Sequence, residues 1–194
     1  MIVLASKSAS RQAMLRGAGV AFEAIPANID ERAIEAQLAE GGPAEVAQQL
    51  AEEKALAVAK TLPGRLVLGS DSLVTVEGQR FDKPQSRQQA VEQLRFFSGR
   101  WMELHSGAAL YRGEDRLWHH YSVAELLVRQ LSDAFIEFYL DAEWPEIGHC
   151  AGAFRIEGRG AQLFETIEGD MFTVLGMPLL AVLAALRDHG ELPR

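Results

Sequence analysis

The chain has 194 residues, 48% apolar and 24% charged, a composition typical of one globular domain with a sizeable core. Its formal net charge of −8 argues against a general binder of nucleic-acid backbones, which needs a basic face. Its one cysteine, Cys150, excludes an internal disulfide and suits a reducing cytosol. No apolar stretch approaches the ~20 residues of a membrane span, and no signal peptide is evident, so we expect a cytoplasmic protein that binds neither membranes nor nucleic acid.

The first part of the chain alternates between strand and helix patterns. Ser8 is a typical N-cap for the first helix, and Pro43 opens the longest one. The predicted elements are strands at 2–5, 22–25 and 66–76, helices at 8–17 and 45–61, and a loop at 26–30 that continues into "NIDER".

The second part of the chain contains more hairpin patterns. We predict a hairpin at 76–81, helices at 86–97, 134–140 and 178–188, strands at 101–111 and 117–127, an irregular glycine-rich stretch at 148–160, and a hairpin that joins 161–167 to 171–174. Early alternation and late hairpins together predict an α/β fold with a mixed sheet.

The segment "LASKSASRQAML", Leu4 to Leu15, has the pattern of an anion site. A short strand breaks into serines and an arginine before helical spacing begins. The free N–H groups of a first helical turn and the helix dipole both favour a bound anion. Arg11 in that turn is disfavoured by the dipole unless an anion lies nearby. The segment therefore raises the hypothesis of a bound phosphate.

Asp71 lies within an otherwise apolar strand, "LVLGSDSLVTV". A buried carboxylate is costly unless it is paired, hydrogen-bonded or bound to a metal. Gly69, two residues earlier, would let another group approach the backbone. A functional carboxylate is one interpretation; a strand-end aspartate facing solvent, or an ion pair with a core arginine, are the others.

Two lysines and a second acid could join this site. Pro84 holds Lys83 in an extended conformation, Lys54 lies in mid-helix, and Glu31 is in a loop. Each could equally be an ordinary solvated side chain. As a set, these residues suit one ligand. The lysines and Arg11 suit the oxygens of a triphosphate, and the two carboxylates suit a divalent metal that bridges those oxygens.

Motifs along almost the whole chain, Ile2 to about Leu186, resemble the Maf family of septum-formation-inhibitor-like nucleotide pyrophosphatases. They are "LASKSASRQAML", "EEKA", "GSDS", "DKP", "SGRWMELHSG", "CAGAFRIEGRGAQLFETIEGD" and "VLGMPL". The resemblance implies a single domain, 1–194, with an elongated two-lobed Maf/ITPase-like fold: a mixed twisted sheet with flanking helices around a central cleft. It also implies, for many members, a homodimer.

The resemblance implies hydrolysis of a nucleoside triphosphate between its α- and β-phosphates, giving a monophosphate and pyrophosphate, with Mg²⁺ or Mn²⁺ as cofactor. The family's functional positions fall on Ser6, Arg11, Glu31, Lys54, Asp71 and Lys83.

On this resemblance, Ser6, Ser8 and Arg11 hold phosphate oxygens at the helix start. Asp71 is the proton acceptor, and it shares the metal with Glu31, while the two lysines neutralise charge on the phosphoryl group and pyrophosphate. Because a carboxylate is a weak base, activation of the water by the metal is more plausible than Asp71 acting alone.

Three positions that the family links to base specificity, Ser10, Ser72 and Glu157, depart from its usual residues. A carboxylate at 157 suits an edge with two adjacent donors, such as N1–H and the N2 amino group of guanine. A methyl group at N7 would strengthen that pairing. We therefore expect a preference for guanine-type triphosphates, including 7-methyl-GTP, unless Glu157 merely pairs with Arg155 or Arg159.

Three alternatives remain open at this point. The protein could prefer dTTP or UTP, it could remove only the terminal phosphate, or it could be a non-enzymatic septum regulator that acts by binding a partner. The reaction products would distinguish them.

Overall fold

The computed structural model describes residues 1–38 and 41–194. The strands are β1 (Ile2–Leu4), β2 (Phe22–Ala24), β3 (Leu66–Val76), β4 (Gln79–Phe81), β5 (Trp101–Arg112), β6 (Asp115–Val128) and β7 (Phe164–Glu168). The α-helices are α1 (Ala9–Gly17), α2 (Glu31–Gln37), α3 (Pro43–Ala59), α4 (Arg87–Phe97), α5 (Asp133–Glu143), α6 (Met171–Val174) and α7 (Leu179–Asp188). Short 3₁₀ helices occupy Glu146–His149, Ala151–Ala153 and Arg159–Leu163.

The strands form one mixed sheet in the order β2-β1-β3-β5-β6-β7, with β4 paired to β3. β1 is parallel to both β2 and β3, whereas β4 is antiparallel to β3 and β7 is antiparallel to β6. The prediction of an α/β fold with a mixed sheet is confirmed. No helix in the described part of the chain is long and apolar enough to cross a bilayer.

The chain divides into two compact units. Unit 1 comprises Met1–Ser72, His105–Ser122 and Asp170–Arg194, and unit 2 comprises Leu73–Leu104 and Val123–Gly169. That these units are the two lobes of a single functional domain stays a prediction.

β1 shows why unit 1 has a core on both faces of its sheet. Ile2 and Leu4 pack into a cluster with α1 and α7, whereas Val3 and Ala5 pack into a second cluster with α3. Successive side chains of a strand point to opposite faces, and a parallel strand covered on both sides is apolar throughout. The continuous apolar run at the start of the chain follows from this double burial.

Helix α3 approaches β3 closely at Gly69. A Cβ atom placed on Gly69 would lie 2.1 Å from the backbone oxygen of Ala51 and 2.7 Å from the backbone nitrogen of Ala55. Glycine in the strand and alanines on the helix therefore allow the two backbones to touch. The contact lies two residues before Asp71, and it brings the lysine-bearing part of α3 to that carboxylate.

Two segments differ from the sequence prediction. Glu31 begins helix α2 instead of lying in a loop, and residues 171–174 form helix α6 instead of the second strand of a hairpin. In both, an aspartate that resembles a turn residue is an N-cap: Asp30 accepts from the backbone of Ala33 (3.0 Å) and Asp170 from that of Thr173 (3.2 Å). The predicted strand at 161–167 is also shorter, because a 3₁₀ helix precedes β7.

We expect Gly69→Ala to lower the free energy of unfolding by about 1–3 kcal/mol, because the added methyl group overlaps the α3 backbone. Gly17→Ala is the matched control, since a Cβ there meets no atom within 4 Å. It should leave stability unchanged or raise it by about 0.5 kcal/mol. Urea denaturation measures both, and equal stabilities for the two variants would contradict the close contact.

Candidate active site

Lys54 lies between two carboxylates within unit 1. Its Nζ is 2.5 Å from Asp71 Oδ1 and 2.9 Å from Glu31 Oε1. Lys54 is 9% exposed and Asp71 is 8% exposed, whereas Glu31 is exposed at the start of α2. A solvated lysine and a solvent-facing aspartate are therefore both wrong interpretations. Asp71 is paired, but its partner is a lysine rather than a core arginine.

Arg11 is buried among neutral oxygen atoms. Its Nε donates to the carbonyl of Gly176 (2.8 Å), its Nη2 to Ser72 Oγ (3.0 Å) and its Nη1 to Ser6 Oγ (3.4 Å). Within residues 1–38 and 41–194, no carboxylate forms an ion pair with it.

Burial lowers the pKa of Arg11 from its ordinary value, and the charges of Asp71 and Glu31 partly oppose that shift. An arginine in a protein nevertheless keeps its proton. A charged group with only neutral partners in a buried place is costly. That Arg11 binds an anion through its remaining N–H groups stays a prediction.

The serines near the start of α1 form the frame around Arg11. Ser8 caps the helix, because its Oγ accepts from the backbone nitrogen of Arg11 (3.4 Å), and its own backbone nitrogen donates to Ser6 Oγ (3.2 Å). The predicted cap is confirmed. Ser10 Oγ donates to the carbonyl of Leu175 (2.8 Å). The hydroxyl groups of Ser10 and Ser72 form hydrogen bonds with the Leu175 carbonyl and with Arg11. A role for either residue in base specificity stays a prediction.

The turn at Leu175 and Gly176 is the part of the site that sequence reasoning missed. The Gly176 carbonyl accepts from Arg11 and also from Ser70 Oγ (3.3 Å). No local pattern indicates that a carbonyl 165 positions further along the chain accepts from Arg11. The only signal was the motif "VLGMPL", which was used for the family resemblance and not for the site.

The other two predicted site residues, Lys83 and Glu157, belong to unit 2, and both are exposed. Both influence Cys150: burial raises the pKa of its thiol, Glu157 raises it further, and Lys83 and Arg155 lower it. Arg155 pairs with Glu143 at 2.8 Å, so the alternative interpretation, in which Glu157 pairs with Arg155 or Arg159, is wrong for Arg155. Among the residues that the structure describes, neither Glu157 nor Arg159 forms an ion pair.

Residues 1–189 match the family model of Maf-like proteins. The chain belongs to the Maf-like family. A nucleoside triphosphate pyrophosphatase of Rhodopseudomonas palustris strain BisB18 is 48% identical over 97% of this chain and 93% of its own length. A 7-methyl-GTP pyrophosphatase of Rhizobium meliloti is 44% identical over 99% and 98%, and one of Brucella suis is 45% identical over 96% and 94%.

A solved HAM1 protein of Coxiella burnetii gives a TM-score of 0.42 and 21% identity, over 66% of this chain and 72% of its own. A similarity of that size adds nothing to the family assignment.

The carboxylates of this Maf-like protein suit a divalent metal that arrives with a triphosphate. Within the described residues, no group of three or more His, Cys, Asp and Glu side chains could hold a metal by itself. Glu31 and Asp71 nevertheless converge on one point, which Lys54 Nζ occupies. Mg²⁺ is typically bound by one or two carboxylates together with substrate phosphates. The two carboxylates therefore suit a shared metal in donor type, whereas the point between them is taken by the Lys54 ammonium group.

We expect inorganic pyrophosphate to raise the melting temperature of this Maf-like protein, because an anion bound only by the folded state stabilises it. Arg11→Gln should abolish most of that rise. Arg16→Gln is the matched control, since Arg16 lies on the same helix but is exposed and contacts Gln12. Thermal denaturation with and without Mg²⁺ measures the effect, and an equal rise in all three proteins would rule out Arg11 as the anion receptor.

Proposed function

We propose that this protein is a nucleoside triphosphate pyrophosphatase that hydrolyses the bond between the α- and β-phosphates, releasing a nucleoside monophosphate and pyrophosphate. The observation that carries the proposal is the buried guanidinium of Arg11, which has neutral partners only, in the same unit as the Lys54–Asp71 pair. Membership of the Maf-like family and the names of the relatives support the same activity.

The start of α1 binds the phosphates in this proposal. The first turn of a helix offers free N–H groups and the positive end of the dipole. Ser6 and Ser8 add hydroxyls, and Arg11 adds a charged fork that suits phosphate oxygens. These groups fix the triphosphate so that the reacting phosphorus faces Asp71.

Asp71 orients the attacking water and accepts its proton. Lys54 holds the carboxylate in place through a short charge-assisted hydrogen bond, and its ammonium group offsets negative charge on the phosphoryl group. Lys83 contributes a further positive charge toward the pyrophosphate. Glu31 and Asp71 would hold Mg²⁺ or Mn²⁺, which supplies positive charge for the phosphate oxygens and makes water more acidic.

Glu157 reads the base in this proposal. Its carboxylate is exposed and free of ion pairs within the described residues, so it can accept from two adjacent donors of a guanine-type base. The relatives from Rhizobium meliloti and Brucella suis are named 7-methyl-GTP pyrophosphatases, which supports that preference over dTTP or UTP. The cytoplasmic location and the homodimer that the resemblance implies stay predictions.

The decisive experiment is a panel of nucleoside triphosphates, with modified bases included, given to the purified protein with Mg²⁺, with Mn²⁺ and with EDTA. Monophosphate and pyrophosphate as products, formed only with a divalent metal, would support the proposal. Diphosphate and phosphate would indicate removal of the terminal phosphate instead. No turnover of any nucleotide would favour a partner-binding role.

We expect Asp71→Asn to reduce kcat by about 10²–10⁴-fold, because the amide cannot accept the proton that the carboxylate takes. Asn is nearly isosteric and Lys54 keeps its ion pair with Glu31, so the fold should survive. Asp115→Asn is a control for the loss of one acidic group, since Asp115 is exposed at the start of β6. A folded Asp71→Asn protein that turns over at the parental rate would exclude the assignment.

We expect Glu157→Gln to shift the ratio of kcat/KM for guanine-type over pyrimidine triphosphates toward the pyrimidines. A glutamine both donates and accepts, as a uracil or thymine edge requires, whereas a carboxylate only accepts. Steady-state kinetics across the nucleotide panel measures the ratio. A parent that favours UTP or dTTP, or a ratio that the substitution leaves unchanged, would refute base reading by Glu157.

A further inference from the structure

The segment that carries Glu157 folds into a tight turn on the backbone of Arg155. The carbonyl of Arg155 accepts from the backbone nitrogen of Gly158 at 3.1 Å. A Cβ atom on Gly160 would lie 2.4 Å from that same carbonyl oxygen, so the chain returns to touch the backbone where the turn began. Glu157 lies within this turn, so its position depends on what fixes Arg155.

Arg155 is held by a buried carboxylate. Glu143, near the end of α5, is 6% exposed, and its Oε2 accepts from Arg155 Nε (3.2 Å) and Nη2 (2.8 Å). A Cβ on Gly158 would lie 4.0 Å from both oxygens of the Glu143 carboxylate, so Glu143 also lies close to the residue that follows Glu157. Tyr139 fixes the backbone just before the turn, because its hydroxyl donates to the carbonyl of Ala153.

The side chain of Arg155 is 38% exposed and that of Glu143 only 7%, so solvent screens their attraction and the ion pair adds little to stability. Its use is therefore geometric more than energetic. The fork of an arginine fixes direction as well as distance. Glu157 projects from the fixed turn with an exposed carboxylate and no ion pair in the described part of the chain.

We propose that the Glu143–Arg155 ion pair is a positioning device that fixes the turn of Glu157 and thereby sets the base selectivity of the enzyme. The inference rests on the proposed function, in which Glu157 contacts the base. Glu143 and Arg155 are positioning residues: they touch neither substrate nor reacting atoms, and they act through Glu157.

The test is Arg155→Lys, which keeps the positive charge beside Glu143 but replaces the two-point fork by a single ammonium group. We expect KM for guanine-type triphosphates to rise about tenfold, because a displaced Glu157 would lose one charge-assisted hydrogen bond to the base. kcat and the KM for UTP and dTTP should not change. Arg159→Lys is the matched control, because Arg159 is exposed in the same turn and has no ion pair among the described residues.

A double-mutant cycle separates positioning from a merely structural role. If Arg155 acts through Glu157, Arg155→Lys has no further effect on the base ratio once Glu157→Gln is present. An additive effect, or a uniform loss with every nucleotide, would overturn the proposal. If Arg155→Lys fails to fold, Glu143→Asp withdraws the carboxylate from Arg155 by one methylene group while both charges remain, and the same outcomes decide.

The two proposals fail in different ways. If Glu157→Gln leaves the base ratio unchanged, base reading itself is wrong, and the positioning role falls with it. If Glu157→Gln moves the ratio but neither Arg155→Lys nor Glu143→Asp does so, Glu157 reads the base without this ion pair. In that case only the positioning role is overturned.

Discussion

The ion pair between Lys54 and Asp71 is the interaction on which the site in unit 1 depends. Neither charge could stay buried alone, because an unpaired ammonium or carboxylate in such a place would be strongly destabilising. The pair requires helix α3 to lie against strand β3, and Gly69 makes that possible by leaving room for the backbone of Ala51. Gly69 thus allows the close packing that brings the Lys54 ammonium group to the Asp71 carboxylate.

The two buried cations of unit 1 have opposite kinds of partner. Lys54 has two carboxylates, whereas Arg11 has two hydroxyls and a carbonyl. The hydrogen-bond partners of Arg11 are all neutral, and the charges of Asp71 and Glu31 only partly offset the effect of its burial. In the proposed function a phosphate group supplies the further negative charge, so a chain with a net charge of −8 would bind a compact polyphosphate locally.

Local patterns are enough for most elements and for the Ser8 cap, because these depend on neighbours within one or two helical turns. They leave open whether Asp71 is buried, since that depends on the packing of α3 against β3. They failed at Asp30 and Asp170, since the same residue type starts turns and caps helices, and the choice depends on packing further along the chain. The carbonyl group that accepts from Arg11 could not be predicted from the sequence at all. The φ of +98° explains the glycine at 176, but the residue type does not indicate which donor its backbone carbonyl accepts from.

In the proposed function, the proton acceptor and the base-reading residue lie in separate compact units, so the reaction and the base preference can vary independently. Lys54 and Asp71 are fixed by contacts inside unit 1, and Glu157 is fixed by contacts inside unit 2. A substitution at 157 therefore changes an exposed side chain on a turn that Glu143 and Arg155 already hold, without disturbing the buried pair. If Asp71 and Glu157 have the roles proposed for them, the proton acceptor is constrained by burial and the base-reading position is not, an arrangement that favours one hydrolytic chemistry with several base preferences.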